Sequence, residues 1–317
     1  MGARELGNTD MRITPIGLGT WAMGGDNWAA SWGPQDDKDS IAAIHRAIDL
    51  GINWIDTAAV YGIGHSEEVV GRALKGLSER PYVFTKCGRK AEPDGIKGVL
   101  RPDFIRSDVE NSLRRLQIDV IDLCQIHWPQ PDSDIELGWQ TLLDLQKEGK
   151  IRYAGISNFN VSQMERLQAI APISSLQPPY SLVRRGVEED ILDYCKANNI
   201  GVIVYAPMAS GLLTGTMTRE RAQSLPESDW RHKAAEFQEP RLSRNLELVD
   251  LLRDIGKRYN ATPGEVAIAW TLVHPAVTGA IVGARRPEQL DTMSGAADFT
   301  LDEEELTRIR TFLKEHP

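Results

Sequence analysis

Apolar residues along the chain fall into two alternating patterns: short continuous runs, and longer stretches in which they recur every three or four positions, the periods of buried strands and of amphipathic helices. Residues 4–13 form extended pieces around Gly7-Asn8-Thr9-Asp10, which predicts a small hairpin that caps something. The run Ile16–Trp21 leads through a Gly/Trp-rich loop, to about Pro34, into a helical pattern through Ile41, Ile44, Ala47 and Ile48. The unit then repeats. A strand at 53–56 precedes Ser66, an expected N-cap, and a helix carrying Val69, Val70, Ala73 and Leu74. A strand at 82–86 is followed by a polar loop and a helix from near Pro102 with Ile105, Val109, Leu113 and Leu116 on one face. Strands at 120–126, 151–156, 175–177 and 202–205 come next, with helices carrying Ile135, Trp139, Leu142 and Leu143, then from Asn160, then from about Val187. After a polar stretch at 214–240 come helical patterns at 246–259 and 263–273, a strand at 280–282, a helix from Pro287 and a terminal helix at 302–313.

Eight strand–helix units with no break in composition predict one domain spanning 1–317, a (β/α)8 TIM barrel with an N-terminal β-hairpin and a C-terminal helix. The main rival is a doubly wound sheet, which the same alternation also suits.

With 41% apolar and 26% charged residues the composition fits a soluble globular protein, and no run approaches the roughly 18 uncharged residues of a membrane span. The opening residues lack the apolar core of a signal peptide, so a cytoplasmic protein is expected. A net charge of -9 argues against a general nucleic-acid or anionic-membrane partner. Cys87, Cys124 and Cys195 are odd in number and far apart, which supports neither a disulfide framework nor a zinc ribbon; they read as reduced thiols, Cys87 with a packing role. The six histidines show no metal-ligand spacing, so no metal is expected. A homo-oligomer is left open.

In a barrel of this kind the site is built from the C-terminal ends of the strands. Those ends carry Asp56 and Tyr61 after the second strand, Thr85-Lys86 on the third, and Gln125-Ile126-His127-Trp128 on the fourth. Singly, each ionisable group has an ordinary structural reading as a cap, a solvated cation or a loop imidazole. Their convergence from three neighbouring strands does not.

At these residues the chain resembles the aldo-keto reductase superfamily over essentially its whole length, and is most similar to the bacterial members related to the potassium-channel β subunit. The matching motifs include Gly19-Thr20-Trp21, Asp56-Thr57-Ala58-x-x-Tyr61-Gly62, Thr85-Lys86, His127-Trp128, Gly155-x-Ser157-Asn158-Phe159, Gln177-x-x-Tyr180, Ser210-Gly211-Leu212-Leu213-Thr214-Gly215 and Gly283-Ala284-Arg285. The resemblance implies a catalytic tetrad of Asp56, Tyr61, Lys86 and His127. Tyr61 would give a proton to the substrate carbonyl as hydride arrives, Lys86 would lower the phenol's pKa, Asp56 would anchor Lys86, and His127 would orient the carbonyl.

No side chain supplies hydride, and neither a dinucleotide-binding Gly-x-Gly-x-x-Gly turn nor a Walker loop is present. The resemblance instead implies an NADP(H) site in which Ser157, Asn158 and Gln177 hold the carboxamide and Tyr205 stacks on the nicotinamide. Gly19, Thr20, Trp21 and Asp56 would complete that end, and Pro207, Ser210, Gly211 and Leu212 would cover the pyrophosphate. Gly283, Arg285, Arg286 and Gln289 would lie at the adenosine end, the Arg pair near a helix start favouring the 2′-phosphate of NADPH. Met293 departs from the Asn common in relatives, which leaves adenine contacts beyond Gln289 open.

Trp21, Trp28, Trp32, Trp128 and Trp230 fall in predicted βα loops. Trp21 and Trp128, with Tyr61 and His127, are the expected substrate residues, and Trp28 and Trp32 serve either the pocket or a plug within their own loop. The segment 224–241 is a candidate lid. The expected activity is NADPH-dependent reduction of aldehydes and ketones, reversible with alcohols, sugars or polyols. The alternative is an NADP(H)-binding redox-sensing subunit with little turnover.

Overall fold

The computed structural model of the chain describes residues 2–26, 28–226 and 229–316. An N-terminal hairpin pairs β1 (Arg4–Glu5) with β2 (Arg12–Ile13). Eight parallel strands then close into a barrel: β3 (Ile16–Gly19), β4 (Trp54–Asp56), β5 (Tyr82–Cys87), β8 (Ile121–Ile126), β9 (Ile151–Ser157), β10 (Ser175–Gln177), β11 (Gly201–Val204) and β12 (Val277–Gly283). Between β5 and β8 lies a second hairpin, β6 (Arg89–Glu92) with β7 (Gly95–Gly98). The barrel is closed where β12 pairs with β3, Gly283 opposite Gly19. Closure leaves no sheet edge, which excludes the doubly wound sheet.

The helices are α1 (Asp37–Asp49), α2 (His65–Leu74), α3 (Pro102–Leu116), α4 (Ile135–Lys147), α5 (Val161–Gln168), α6 (Ile191–Ala197), α7 (Arg219–Gln223), α8 (Arg241–Gly256), α9 (Pro263–Val273), α10 (Pro287–Asp291) and α11 (Glu303–Glu315). Their apolar stripes pack on the outside of the barrel, Ile44, Val70, Val109 and Trp139 among them. Inside, alternate strand residues fill the lower barrel: Trp54, Phe84, Leu123, Ile203 and Ile281 meet Leu6, Met11 and Ile13 of the hairpin, which thus plugs the bottom. No described helix is long and apolar enough to cross a membrane.

Three local expectations are corrected. The polar loop after the third barrel strand is the β6–β7 hairpin, turned by Pro93-Asp94. Ser66 does not cap α2; the helix begins at His65 after left-handed Gly64. The Ser66 hydroxyl turns inward instead, donating to Thr20 O at 3.0 Å and lying 3.0 Å from Thr57 Oγ1. Val187 lies in a 3-10 turn, and α6 starts only at Ile191. Beyond 214, α7 and short 3-10 turns fold over a satellite core of Leu212, Met217, Ala222, Phe237 and Leu242. Residues 227 and 228 of the candidate lid lie outside the described residues.

Candidate active site

Asp56 ends β4 and Lys86 is the penultimate residue of β5, so neighbouring strands bring both to the upper rim of the barrel. Tyr61 follows on a tight turn that left-handed Gly62 permits; its Cα packs so closely on Gly24 that a Cβ there would sit 2.0 Å from Gly24 O. The Lys86 ammonium is fully buried and uses all three of its donors: Asp56 Oδ2 at 2.5 Å, Thr57 O at 3.0 Å and Tyr61 Oη at 3.2 Å. The second Asp56 oxygen accepts from Gln177 Nε2 at 2.8 Å. Burial alone would lower the Lys86 pKa, but Asp56 and then Tyr61 outweigh it and the net shift is upward. Lys86 is a permanent cation at neutral pH.

For Tyr61 burial is the largest influence and raises the phenol above its ordinary value; Lys86 pulls downward without overcoming it. The ammonium acts in the expected direction, but burial outweighs it and the net shift is upward. At neutral pH the group is a protonated donor held beside a cation. The His127 ring packs edge-on to Tyr61, centroids 5.7 Å apart. Burial, then the charges of Lys86 and Arg89, hold its pKa well below the ordinary imidazole value, so the ring is neutral. Its Nδ1 is buried without a partner among the described residues.

These groups open into a cavity of about 1050 Å³, at the upper end of the range for ligand pockets. All the expected cofactor and substrate residues line it except Thr20 and Leu212. Thr20 is buried at the strand end, where its hydroxyl donates to Asp56 O at 3.2 Å and contacts Ser66 Oγ at 2.7 Å. Leu212 belongs to the satellite core. Both support the cavity wall from behind. Lys86 likewise lies behind Asp56 and Tyr61.

Further round the rim a chain of hydrogen bonds joins four of the expected cofactor residues and reaches His127. Tyr205 Oη donates to Asn158 Oδ1 at 2.8 Å, Asn158 Nδ2 donates to Ser157 Oγ at 2.9 Å and to His127 O at 3.1 Å, and Ser157 Oγ donates to Gln177 O at 2.8 Å. Asn158, Ala206, Ala209 and Ser210 all have positive φ without being glycine. Left-handed residues in succession turn backbone N–H groups toward one side, as anion-binding loops do.

Arg285 is placed differently from expectation. Its guanidinium donates to Gln35 Oε1 at 2.6 Å, to Trp32 O at 3.3 Å and to Pro34 O, while Gln35 Nε2 donates back to Arg285 O at 2.8 Å. It thus latches the loop before α1 to the last barrel strand. Arg286, on the cavity wall at the start of α10, is the member of the pair not tied into that loop. Met293 also lines the wall.

Trp28 and Trp32 both line the cavity, and Trp28 also donates to Gly25 O of its own loop at 3.2 Å. Trp21 stacks on Tyr61 at 6.3 Å and on Trp230 at 6.3 Å, Trp28 lies 5.9 Å from Tyr61, and Trp32 meets Trp21 and Trp230 edge-on. Trp230 brings with it Arg231, which pairs with Asp229 at 2.7 Å, sits 4.9 Å over the Trp32 ring and reaches Ser210 O at 3.4 Å. Arg231, Arg89 and Thr262 line the cavity without having been singled out in the sequence. Only the proximity of Arg89 to Lys86, and of Arg231 to Trp230, offered a signal.

The architecture and this cavity can be set beside known proteins. A family model described as "Aldo/keto reductase family" matches residues 15–314. The chain is 40% identical over 313 residues to aldo-keto reductase YhdN of Bacillus subtilis, covering 98% of this chain and 93% of that one. It is 34% identical to the NADH-specific methylglyoxal reductase of Escherichia coli, covering 96% of each. Among solved structures, the glycerol dehydrogenase AKR11B4 from Gluconobacter oxydans superposes with a TM-score of 0.90 at 38% identity, covering 99% of this chain and 95% of that one. The holo form of the aldo-keto reductase AKR11C1 from Bacillus halodurans gives 0.81 at 28% identity, covering 98% and 96%.

Proposed function

The chain belongs to the aldo/keto reductase family, and from that premise we propose that it reduces aldehydes and ketones to alcohols with NADPH, reversibly, with Tyr61 as the proton donor. The observation that carries this reading is the Lys86 ammonium bonded at once to Asp56 and to the Tyr61 phenol at the floor of the cavity. A family that uses NAD(P)H needs a place for the dinucleotide, and the cavity's residues fit one. Asn158, Ser157 and Gln177 offer amide and hydroxyl groups for a carboxamide, Tyr205 offers a ring, and the left-handed loop at 209–211 offers backbone N–H groups and a close approach for a pyrophosphate. NADPH, when bound, supplies the hydride.

The chain's own residues do the rest. Neutral His127 directs the carbonyl oxygen toward the phenol. Tyr61 gives its proton to that oxygen as charge develops there, and the resulting phenolate is stabilised by Lys86. Asp56 keeps Lys86 in place and charged, and does not itself exchange the proton. The tryptophans wall the site against water. In the oxidative direction the phenolate takes the proton back. A complete and connected tetrad favours turnover over a purely sensing role.

Tyr61→Phe is the direct test: kcat falls about 10²- to 10⁴-fold in NADPH oxidation with a reactive aldehyde, while fluorescence titration still detects NADPH binding. Full activity in that variant overturns the mechanism.

A further inference from the structure

One cation at the reacting end of the cavity has no use in the mechanism. Gly88, with φ +86, turns the chain directly after Lys86-Cys87; its N–H donates to Asp108 Oδ2 at 3.0 Å and its carbonyl accepts from Val99 N–H at 3.0 Å. That turn delivers Arg89 onto the first position of β6, on the cavity wall shared with Tyr61 and His127. The guanidinium is positioned by two neutral acceptors: Nη1 donates to Gln130 Oε1 at 2.8 Å and Nη2 to Ile96 O at 3.1 Å. Gln130 follows His127-Trp128 in sequence, and His127 N–H donates to Cys87 O at 3.0 Å, so Arg89 is pinned beside the imidazole. His127 feels its charge.

Arg231, which lines the same space, is neutralised by Asp229, and Lys86, behind the wall, by Asp56. Arg89 is half-buried and has no carboxylate within ion-pair distance among the described residues; Glu92, on the same hairpin, is engaged by Lys90 and Lys97. A guanidinium carries five N–H donors, and the two fixed acceptors leave others directed elsewhere. Taking a charge partly out of water without a counter-ion is costly, and no carboxylate among the described residues offsets that cost. An anion entering the pocket would.

We propose that Arg89 is the specificity-determining residue of the substrate pocket, and that the chain acts on carbonyl compounds carrying a carboxylate, which Arg89 binds while the carbonyl faces Tyr61 and His127. The proposal rests on the reductase reading above. A single guanidinium held by neutral acceptors matches one negative charge, whereas a doubly charged phosphate would find only half the positive charge needed to balance it. The apolar walls from Ile96, Trp28 and Trp128 suit a hydrocarbon or aromatic body between the two polar ends.

The test separates binding from turnover. Calorimetry on the NADP+-loaded protein with benzoate and with its neutral isostere benzamide is expected to give tighter binding of benzoate. Arg89→Leu lowers that preference by about ten- to a hundredfold, the range for a hydrogen bond to a charged group, and Arg89→Lys restores part of it. Equal affinities for the two ligands, or a loss in Arg89→Leu that falls equally on both, overturns the proposal. In steady-state assays the ratio of kcat/KM for 4-carboxybenzaldehyde to that for benzaldehyde is expected to exceed one and to collapse in Arg89→Leu; a ratio of one in the parent protein also overturns it. Selective benzoate binding without NADPH oxidation on either aldehyde would instead overturn the reductase reading and leave the anion site standing.

Discussion

Tyr61 experiences opposing influences, burial and then the Asp56 charge raising its pKa and the Lys86 ammonium lowering it, and burial is the largest. Reduction requires the protonated phenol. A folded-state pKa above the ordinary value of about 10 means that this form persists throughout the neutral range and is lost only as pH rises through that raised value. His127 is shifted downward by burial, so its neutral form persists as pH falls below the usual imidazole range. The pH profile of kcat/KM for reduction is therefore expected to be flat from about pH 6 to 9. A steep fall between pH 6 and 8 would assign proton donation to a different group. Both residues were legible as strand-end chemistry, but the sign of the Tyr61 shift was not. It depends on how deeply the phenol is enclosed, and the enclosing rings of Trp21 and Trp28 come from another unit of the barrel.

Among the elements, the turn after β4 sets where the phenol points. Gly62 and Gly24 approach so closely that neither tolerates a side chain without backbone movement, and Gly62 is left-handed as well. Gly62→Ala is expected to cost about 1–3 kcal/mol of stability in denaturant unfolding and to lower kcat, because the displaced residue adjoins Tyr61. Wild-type kcat in a folded Gly62→Ala protein would show that the turn does not position the donor. The β6–β7 hairpin is the element whose reading as a plain loop had the largest consequence. Its turn signal, Pro93-Asp94-Gly95, is present in the sequence, but its strands are short and mixed in polarity. Nothing in that local pattern shows that its first residue faces the cavity.

Over the whole molecule, the ring of eight units is secured where its first and last members meet. Arg285 and Gln35 exchange hydrogen bonds across 250 positions of sequence, and Arg46 of α1 pairs with Asp291 of α10 at 2.6 Å. The adjacent arginines thus divide their work: Arg285 latches the loop, and Arg286 remains for the 2′-phosphate that the family resemblance implies. Arg286→Ala is expected to weaken NADPH binding about tenfold and NADH binding much less, whereas Arg285→Ala weakens both alike by loosening the cavity wall. Equal losses in Arg286→Ala for the two nucleotides would remove the basis for an NADPH preference. At the opposite end the N-terminal hairpin seals the barrel floor through Leu6, Met11 and Ile13, all fully buried. Leu6→Ala is expected to cost about 2–4 kcal/mol by urea unfolding while kcat at the far rim is retained; a loss below 0.5 kcal/mol would mean the hairpin is an appendage rather than a plug.

The sequence by itself determined the alternation of strands and helices, the barrel and the four residues at its rim. Those depend on period and on position within a local unit, and Asp56, Lys86 and His127 each stand at the end of an apolar run. Tertiary structure alone decided how charges are paired and which side chains are spoken for. Arg285 and Arg286 are neighbours of the same type, yet one is held by a loop 250 residues away. Arg89 reads as one basic residue among many until closure of the barrel sets it beside His127 with no acid to answer it among the described residues. Pairing and desolvation depend on what lies within a few ångströms in space, and in a closed barrel those neighbours come from strands and loops far apart along the chain.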